Sequence, residues 1–113
     1  MLSSAGMSDF SLYDLEKRIG ERANAAADVS YTRKLLDRGV AHCAKKLGEE
    51  AVELALAAVA ESRERTIEEA ADLVYHLLVV LKARGVGLSE VEAALGARTV
   101  QSGLAEKASR KSG

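Results

Sequence analysis

Residues 47–81 read LGEEAVELALAAVAESRERTIEEAADLVYHLLVVL and set two acidic clusters inside otherwise apolar helical sequence. At about 100° per residue, Glu50 and Glu53 fall roughly 60° apart, in the sector that also carries Leu47, Leu54 and Ala57. The same projection puts Glu69 and Asp72 on one face with Leu73, His76 and Val80. The polar run ESRER between the two halves is short, which makes consecutive helices antiparallel neighbours. Both carboxylate pairs are therefore expected to point inward and to meet across the helix pair.

Four anions in one site repel, and taking a charge out of water is costly unless something compensates it. Lysines are one means of compensation. An oxygen-only set of Glu and Asp is also the ligand chemistry of a hard divalent cation, with Mg²⁺ or Mn²⁺ as the expected ion, and no His/Cys set suits zinc. Mg²⁺ held by carboxylates takes waters or phosphate oxygens as its remaining ligands, so the expected substrate is a phosphate ester or anhydride. Glu49, rotated about 100° from Glu50, is the candidate to orient or deprotonate an attacking water. Two plainer readings compete. Glu69 can serve as the third-residue partner of a Thr66 capping box, and Glu50 can pair with Lys46 one turn earlier.

The rest of the chain fits an all-α protein of about five helices. There is no proline, aromatics are 4%, and Ala, Leu, Glu, Lys and Arg dominate the 113 residues. Residues 1–7 are read as a disordered N-terminal extension, with Met7 an alternative start, and residues 8–113 as one domain. Ser11 with Asp14 signals a helix start, and Leu12, Leu15, Ile19 and Ala23 carry that helix to about Ala26. Ser30 caps a short helix that Gly39 ends, and a long helix runs from Val40 to about Ala60. Thr66 with Glu69 is expected to cap a helix reaching Gly85, and Ser89 with Glu92 a last one reaching about Gln101. The segment Leu73–Leu81 is apolar on nearly all sides, so other helices must surround it. His76 is expected to be a hydrogen-bonded core histidine and Cys43 a small core residue.

The formal net charge of −1, from 16 basic and 17 acidic residues, points to neither a nucleic acid nor a membrane surface as partner. The longest apolar run, LLVVL, is far shorter than the roughly 20 residues of a membrane span, and no secretory leader is visible. One cysteine suits a reducing, cytoplasmic setting. Charged ligands must then be met locally. The candidates are Lys45 and Lys46, one turn before the first glutamates, and Tyr31, Thr32, Arg33 and Lys34, where hydroxyls and positive charge concentrate at a helix start.

The segments SYTRKLLDRG, KKLGEEAVELALAA and EEAADLVYHLLVVLKARGVGLSEV, in this order and spacing, resemble the phosphoribosyl-ATP pyrophosphohydrolase family. More broadly, E-E-x-x-E followed by E-x-x-D is similar to the signature of the MazG-like all-α nucleotide pyrophosphohydrolases. The likeness runs from about Leu12 to Lys111. It implies that Glu50, Glu53, Glu69 and Asp72 hold Mg²⁺, with Glu49 near the attacking water. The implied reaction cleaves the α–β phosphoanhydride of 1-(5-phosphoribosyl)-ATP, in histidine biosynthesis, to phosphoribosyl-AMP and pyrophosphate. It further implies a homodimer whose helices together complete a bundle, and the length with its single cysteine leads to the expectation of a free-standing enzyme, without the zinc site of a fused cyclohydrolase. Two other functions compete with it: a general (d)NTP pyrophosphohydrolase of the same superfamily, and a non-catalytic helical dimerisation module.

Overall fold

The computed structural model describes residues 9–100, and the expected N-terminal extension and basic tail lie outside them. Five helices follow in order: α1 Leu12–Ala23, α2 Tyr31–Asp37, α3 Val40–Ala60, α4 Arg63–Ala83 and α5 Leu88–Val100. The described residues contain no strand. The fold is all-α, as the composition indicates.

Local chemistry sets most of the boundaries. Ser11 and Asp14 form a reciprocal capping box at the start of α1, each side chain meeting the other's backbone N–H. The helix stops at Ala23, a little before the expected Ala26, with Asn24 as its C-cap. Ser30 accepts from the Arg33 N–H to start α2, and its own hydroxyl donates to the Arg22 carbonyl, tying the loop back to α1. Gly39 adopts φ +93°, which lets the chain leave α2 and enter α3 at once. Gly85 at φ +70° does the same service after α4, where the Val86 N–H reaches the Leu81 carbonyl and the Gly85 N–H that of Lys82.

Two expected caps are corrected. Helix α4 begins a turn earlier than Thr66, because the Ser62 hydroxyl accepts from the Arg65 N–H and captures the start. Thr66 is then interior, and its hydroxyl donates to the Ser62 carbonyl. The connection from α3 shrinks to Glu61 and Ser62. At α5 the Ser89–Glu92 box does not form. The helix starts at Leu88, Glu90 reaches back to the Gly87 N–H at 2.9 Å, and Glu16 of α1 accepts from the Leu88 N–H at 2.7 Å. Glu92 instead accepts from the Tyr13 hydroxyl, and this hydrogen bond is the main reason that the phenol's pKa is pushed up to about 12.

The most extensive packing joins α3 and α4 as an antiparallel pair; α1 and α2 lie against α4, and α2 also against α3. One buried cluster of Ile19, Leu35, Cys43, Leu78, Val79 and Leu88 draws on all five helices. Cys43 is the small core residue expected: its thiol donates to the Leu35 carbonyl at 3.2 Å, and burial pushes its pKa up. Helix α4 buries Leu78 and Val79 and half-buries Leu73, Val74, Tyr75, Val80 and Leu81, so neighbours do surround it, although Leu77 is 38% exposed.

The relocated start of α4 is open to measurement. Ser62→Ala should cost about 1 kcal/mol of unfolding free energy by chemical denaturation, the ordinary loss for an N-cap, whereas Thr66→Ala, inside the helix, should be near neutral or slightly stabilising because Ala is the better helix former. The reverse ranking would return the helix start to Thr66.

Candidate metal and anion site

Helices α3 and α4 bring three of the four signature carboxylates together. Oxygens of Glu50, Glu69 and Asp72 all lie within 4.8 Å of one another. Glu69 is buried at 4% exposure, Glu50 is half-buried and Asp72 lies at the open side. Glu53, expected inward, is exposed and stands outside this cluster, at the flank of the α3 sector that Glu50 occupies. Its charge is still felt. Burial first, and then repulsion from Glu53, Asp72 and Glu69, raise the Glu50 carboxyl above its ordinary range, with only Lys46 acting the other way.

The compensation that is present comes from a residue the sequence reading passed over. Arg65 places one guanidinium nitrogen 2.5 Å from Glu69 Oε2 and another 2.6 Å from Glu68, and a third contact reaches Glu61. The i, i+4 spacing of Arg65 and Glu69 was the available signal. With the helix start at Ser62, Glu69 is no cap partner and is left as a buried acid held on one side by arginine. Its other oxygen, Oε1, is buried without a hydrogen-bond partner. A buried carboxylate with an orphaned oxygen, in an oxygen-only donor set, fits a hard divalent cation.

Glu49 is exposed and pairs with Lys46 at 3.3 Å, and this contact raises the lysine's pKa. The expected pairing of Lys46 with Glu50 therefore goes to Glu49 instead. Lys46 also lines a cavity of about 560 Å³ with Tyr31, Lys34, Leu35, Asp37, Arg38 and His42. The basic wall thus adjoins the acidic one through Lys46. Lys45 is exposed, and it lies outside the lining of this cavity.

The SYTRK segment divides its labour. Thr32 is buried and shares a 2.6 Å hydrogen bond with the Tyr75 hydroxyl, so it fixes α2 against α4 and presents nothing to a ligand. Arg33 is spent on Asp37 at 3.0 Å and on the Ala25 carbonyl at 3.0 Å. Tyr31 is 55% exposed and lies over Tyr75 with centroids 6.4 Å apart and planes 19° from parallel. His76 is buried as expected, edge-on to Tyr75 and Tyr31, but its Nδ1 lacks the hydrogen bond anticipated for it. Burial, then Lys46, lowers its pKa and favours the neutral ring.

Fold and site together define an all-α protein with a cluster of three carboxylates that could hold a metal ion on a helical pair, beside a basic cleft. The sequence model of the phosphoribosyl-ATP pyrophosphohydrolase family matches residues 12–99. Relatives are close. A phosphoribosyl-ATP pyrophosphatase 1 of Bradyrhizobium diazoefficiens is 62% identical over 93% of this chain and 99% of its own length. One of Rhodopseudomonas palustris is 57% identical over 93% and 98%. A phosphoribosyl-ATP pyrophosphatase of Agrobacterium fabrum is 57% identical over 92% and 97%. The chain belongs to the phosphoribosyl-ATP pyrophosphohydrolase family.

The repulsion on Glu50 has a thermodynamic consequence. A carboxyl whose folded pKa is raised above its unfolded 4.5 adds stability when protonated and loses it as pH rises through that range. In EDTA at pH 7, Glu50→Gln should therefore raise the thermal midpoint relative to the parent protein, and the gain should vanish near pH 4. An equal or lower midpoint at pH 7 would show that repulsion does not dominate at this carboxylate.

Proposed function

We propose that this chain hydrolyses the α–β phosphoanhydride of 1-(5-phosphoribosyl)-ATP, releasing phosphoribosyl-AMP and pyrophosphate within histidine biosynthesis. Family membership over residues 12–99, together with relatives of the same name matched along almost their whole length, carries this reading. Water adds to one phosphorus of the anhydride, the bridging P–O bond breaks, and the two protons of the water end on solvent and product.

Glu50, Glu69 and Asp72 are the residues that would hold Mg²⁺ or Mn²⁺, with Glu53 completing the set at the exposed flank. When bound, the cation neutralises charge growing on the leaving phosphate. The buried, unpartnered Oε1 of Glu69 supports this assignment, since an acid kept out of water and half satisfied by Arg65 needs a second positive partner. Glu49 is proposed to take a proton from the attacking water. Its exposure and its place next to Glu50 in the chain support this role, and Lys46 pairs with it at 3.3 Å. Lys45, Lys46 and Lys34 are proposed to meet phosphate oxygens, with Tyr31 giving an aromatic face. Thr32 and Arg33 are proposed to act on substrate through the position of α2, because their polar atoms are engaged internally.

The proposed active form is a homodimer. Val52, Leu56 and Val59 are 59%, 58% and 87% exposed at helical spacing on α3, and Ile67 of α4 is 53% exposed. A continuous apolar stripe of this kind on one chain marks a surface meant to be covered. No helix among the described residues is long and apolar enough to cross a membrane.

Two measurements test this reading. Pyrophosphate release should be fastest by far from phosphoribosyl-ATP among a panel including the common (d)NTPs, and EDTA should abolish it. Glu50→Gln and Asp72→Asn should each lower metal affinity or kcat by at least about tenfold, since loss of even an outer partner of a metal ligand commonly costs about 10–100-fold. Preferential hydrolysis of dNTPs, or full activity in both variants, would overturn the assignment. For the assembly, light scattering should give a dimer for the parent chain and a monomer for Val52→Asp combined with Leu56→Asp; a parent monomer at micromolar concentration would remove the dimer.

A further inference from the structure

The 560 Å³ cavity between α2 and the start of α3 falls within the roughly 300–1,000 Å³ of small-molecule sites. Its lining carries Lys34, Arg38, His42 and Lys46 against a single carboxylate, Asp37. That carboxylate is already taken by the Arg33 guanidinium, at 3.0 and 3.2 Å. Lys46 is paired with Glu49, while Lys34 and Arg38 have no ion pair among the described residues. Lys34 and Arg38 thus leave positive charge on the wall with no ion-pair partner among the described residues. Leu35 and the exposed face of Tyr31 supply an apolar side against which a sugar ring can rest.

We infer that Arg38 and His42, with Lys34, form a subsite for the terminal phosphate monoester of the substrate's second ribose, separate from the acidic cluster that takes the triphosphate. This assignment rests on the proposed function. The substrate is anionic at two places, and the site has two distinct answers to it. The carboxylates of α3 and α4 repel a bare phosphate and accept the triphosphate only with a cation between. The cavity needs no cation. A phosphate dianion suits it because the Arg38 guanidinium and Lys34 ammonium line the same cavity and have no ion-pair partner among the described residues. The imidazole of His42 fits the same picture: desolvation and the neighbouring Arg38, Lys45 and Lys46 lower its pKa, a crowding of positive charge that an anion would relieve. Lys46 lines the cavity and also touches Glu49, so the two halves are contiguous and one extended ligand can span them.

The test separates this subsite from the hydrolytic reading. Titration of the metal-free chain with ribose 5-phosphate in EDTA should show binding at least tenfold tighter than with ribose, and Arg38→Gln combined with His42→Gln should erase that difference. The same pair should raise KM for phosphoribosyl-ATP by at least tenfold with kcat changed less than twofold, and should leave hydrolysis of 1-ribosyl-ATP, which lacks the monoester, unchanged. Lys17→Gln, which removes a charge on exposed α1, should do none of this. An equal loss on both substrates would assign the cavity to the triphosphate and overturn the inference. So would equal affinity for ribose and ribose 5-phosphate. Phosphate-dependent binding that survives in a chain without hydrolysis would keep the subsite and sink the proposed reaction instead.

Discussion

Three carboxylates held within 4.8 Å of one another across α3 and α4 are a standing cost to this fold. Everything around them serves to keep them there. The connection of Glu61 and Ser62 is too short to let the helices part, and the Ser62 cap fixes where α4 begins and therefore which faces meet. Ala57, with no exposed surface, and the buried Val79 belong to the packing that opposes the repulsion. Arg65 relieves one acid without closing the site, because it approaches Glu69 from the same helix and leaves Oε1 unsatisfied.

The basic half depends on the same frame. Thr32 and Tyr31 both contact Tyr75, so α2 takes its position from α4, the helix that also carries Glu69 and Asp72. Gly39 then allows α3 to start directly after α2, which sets Lys46 between the cavity and Glu49. One helix, α4, thereby fixes the spacing between acids and bases. The proposed ligand, with two anionic ends, would meet a fixed spacing as well as the two proposed sites.

Much of this was legible in the sequence, and the omissions have physical causes. Helical periodicity gave the five helices and the inward direction of Glu50 and Glu69, because burial of apolar faces decides both, whereas Asp72, expected in a buried sector, joins the cluster from its exposed side. Capping signals failed where two candidates competed. Ser62 and Thr66 are both able to cap, and the serine one turn earlier wins; at α5 a carboxylate 72 residues away, Glu16, meets the first free N–H, which no local pattern contains. The mistaken cap at Thr66 also hid Arg65, whose role exists only if Glu69 is interior. Arg33 looked available from its charge alone, yet a loop carbonyl and Asp37 claim it. Arg38 and His42 were overlooked because their convergence depends on how α2 turns into α3.

Glu53 shows how the assembly and the chemistry are joined. On the α3 projection it lies about 60° from Glu50 on one side and about 60° from Leu56 on the other, at the border between the core-facing sector and the exposed stripe of Val52, Leu56 and Val59. In the single chain water screens it, so it repels Glu50 only through solvent-softened charge. A second copy laid on the stripe, as the proposed dimer requires, would withdraw that water and strengthen every interaction within the acidic cluster. Metal-free association would then be opposed by the strengthened repulsion, and whatever factor dimerisation adds to cation affinity the cation would add to dimer affinity. If the proposed dimer forms and the proposed cation binds, the two are expected to support each other through this one residue at the edge of an otherwise apolar face.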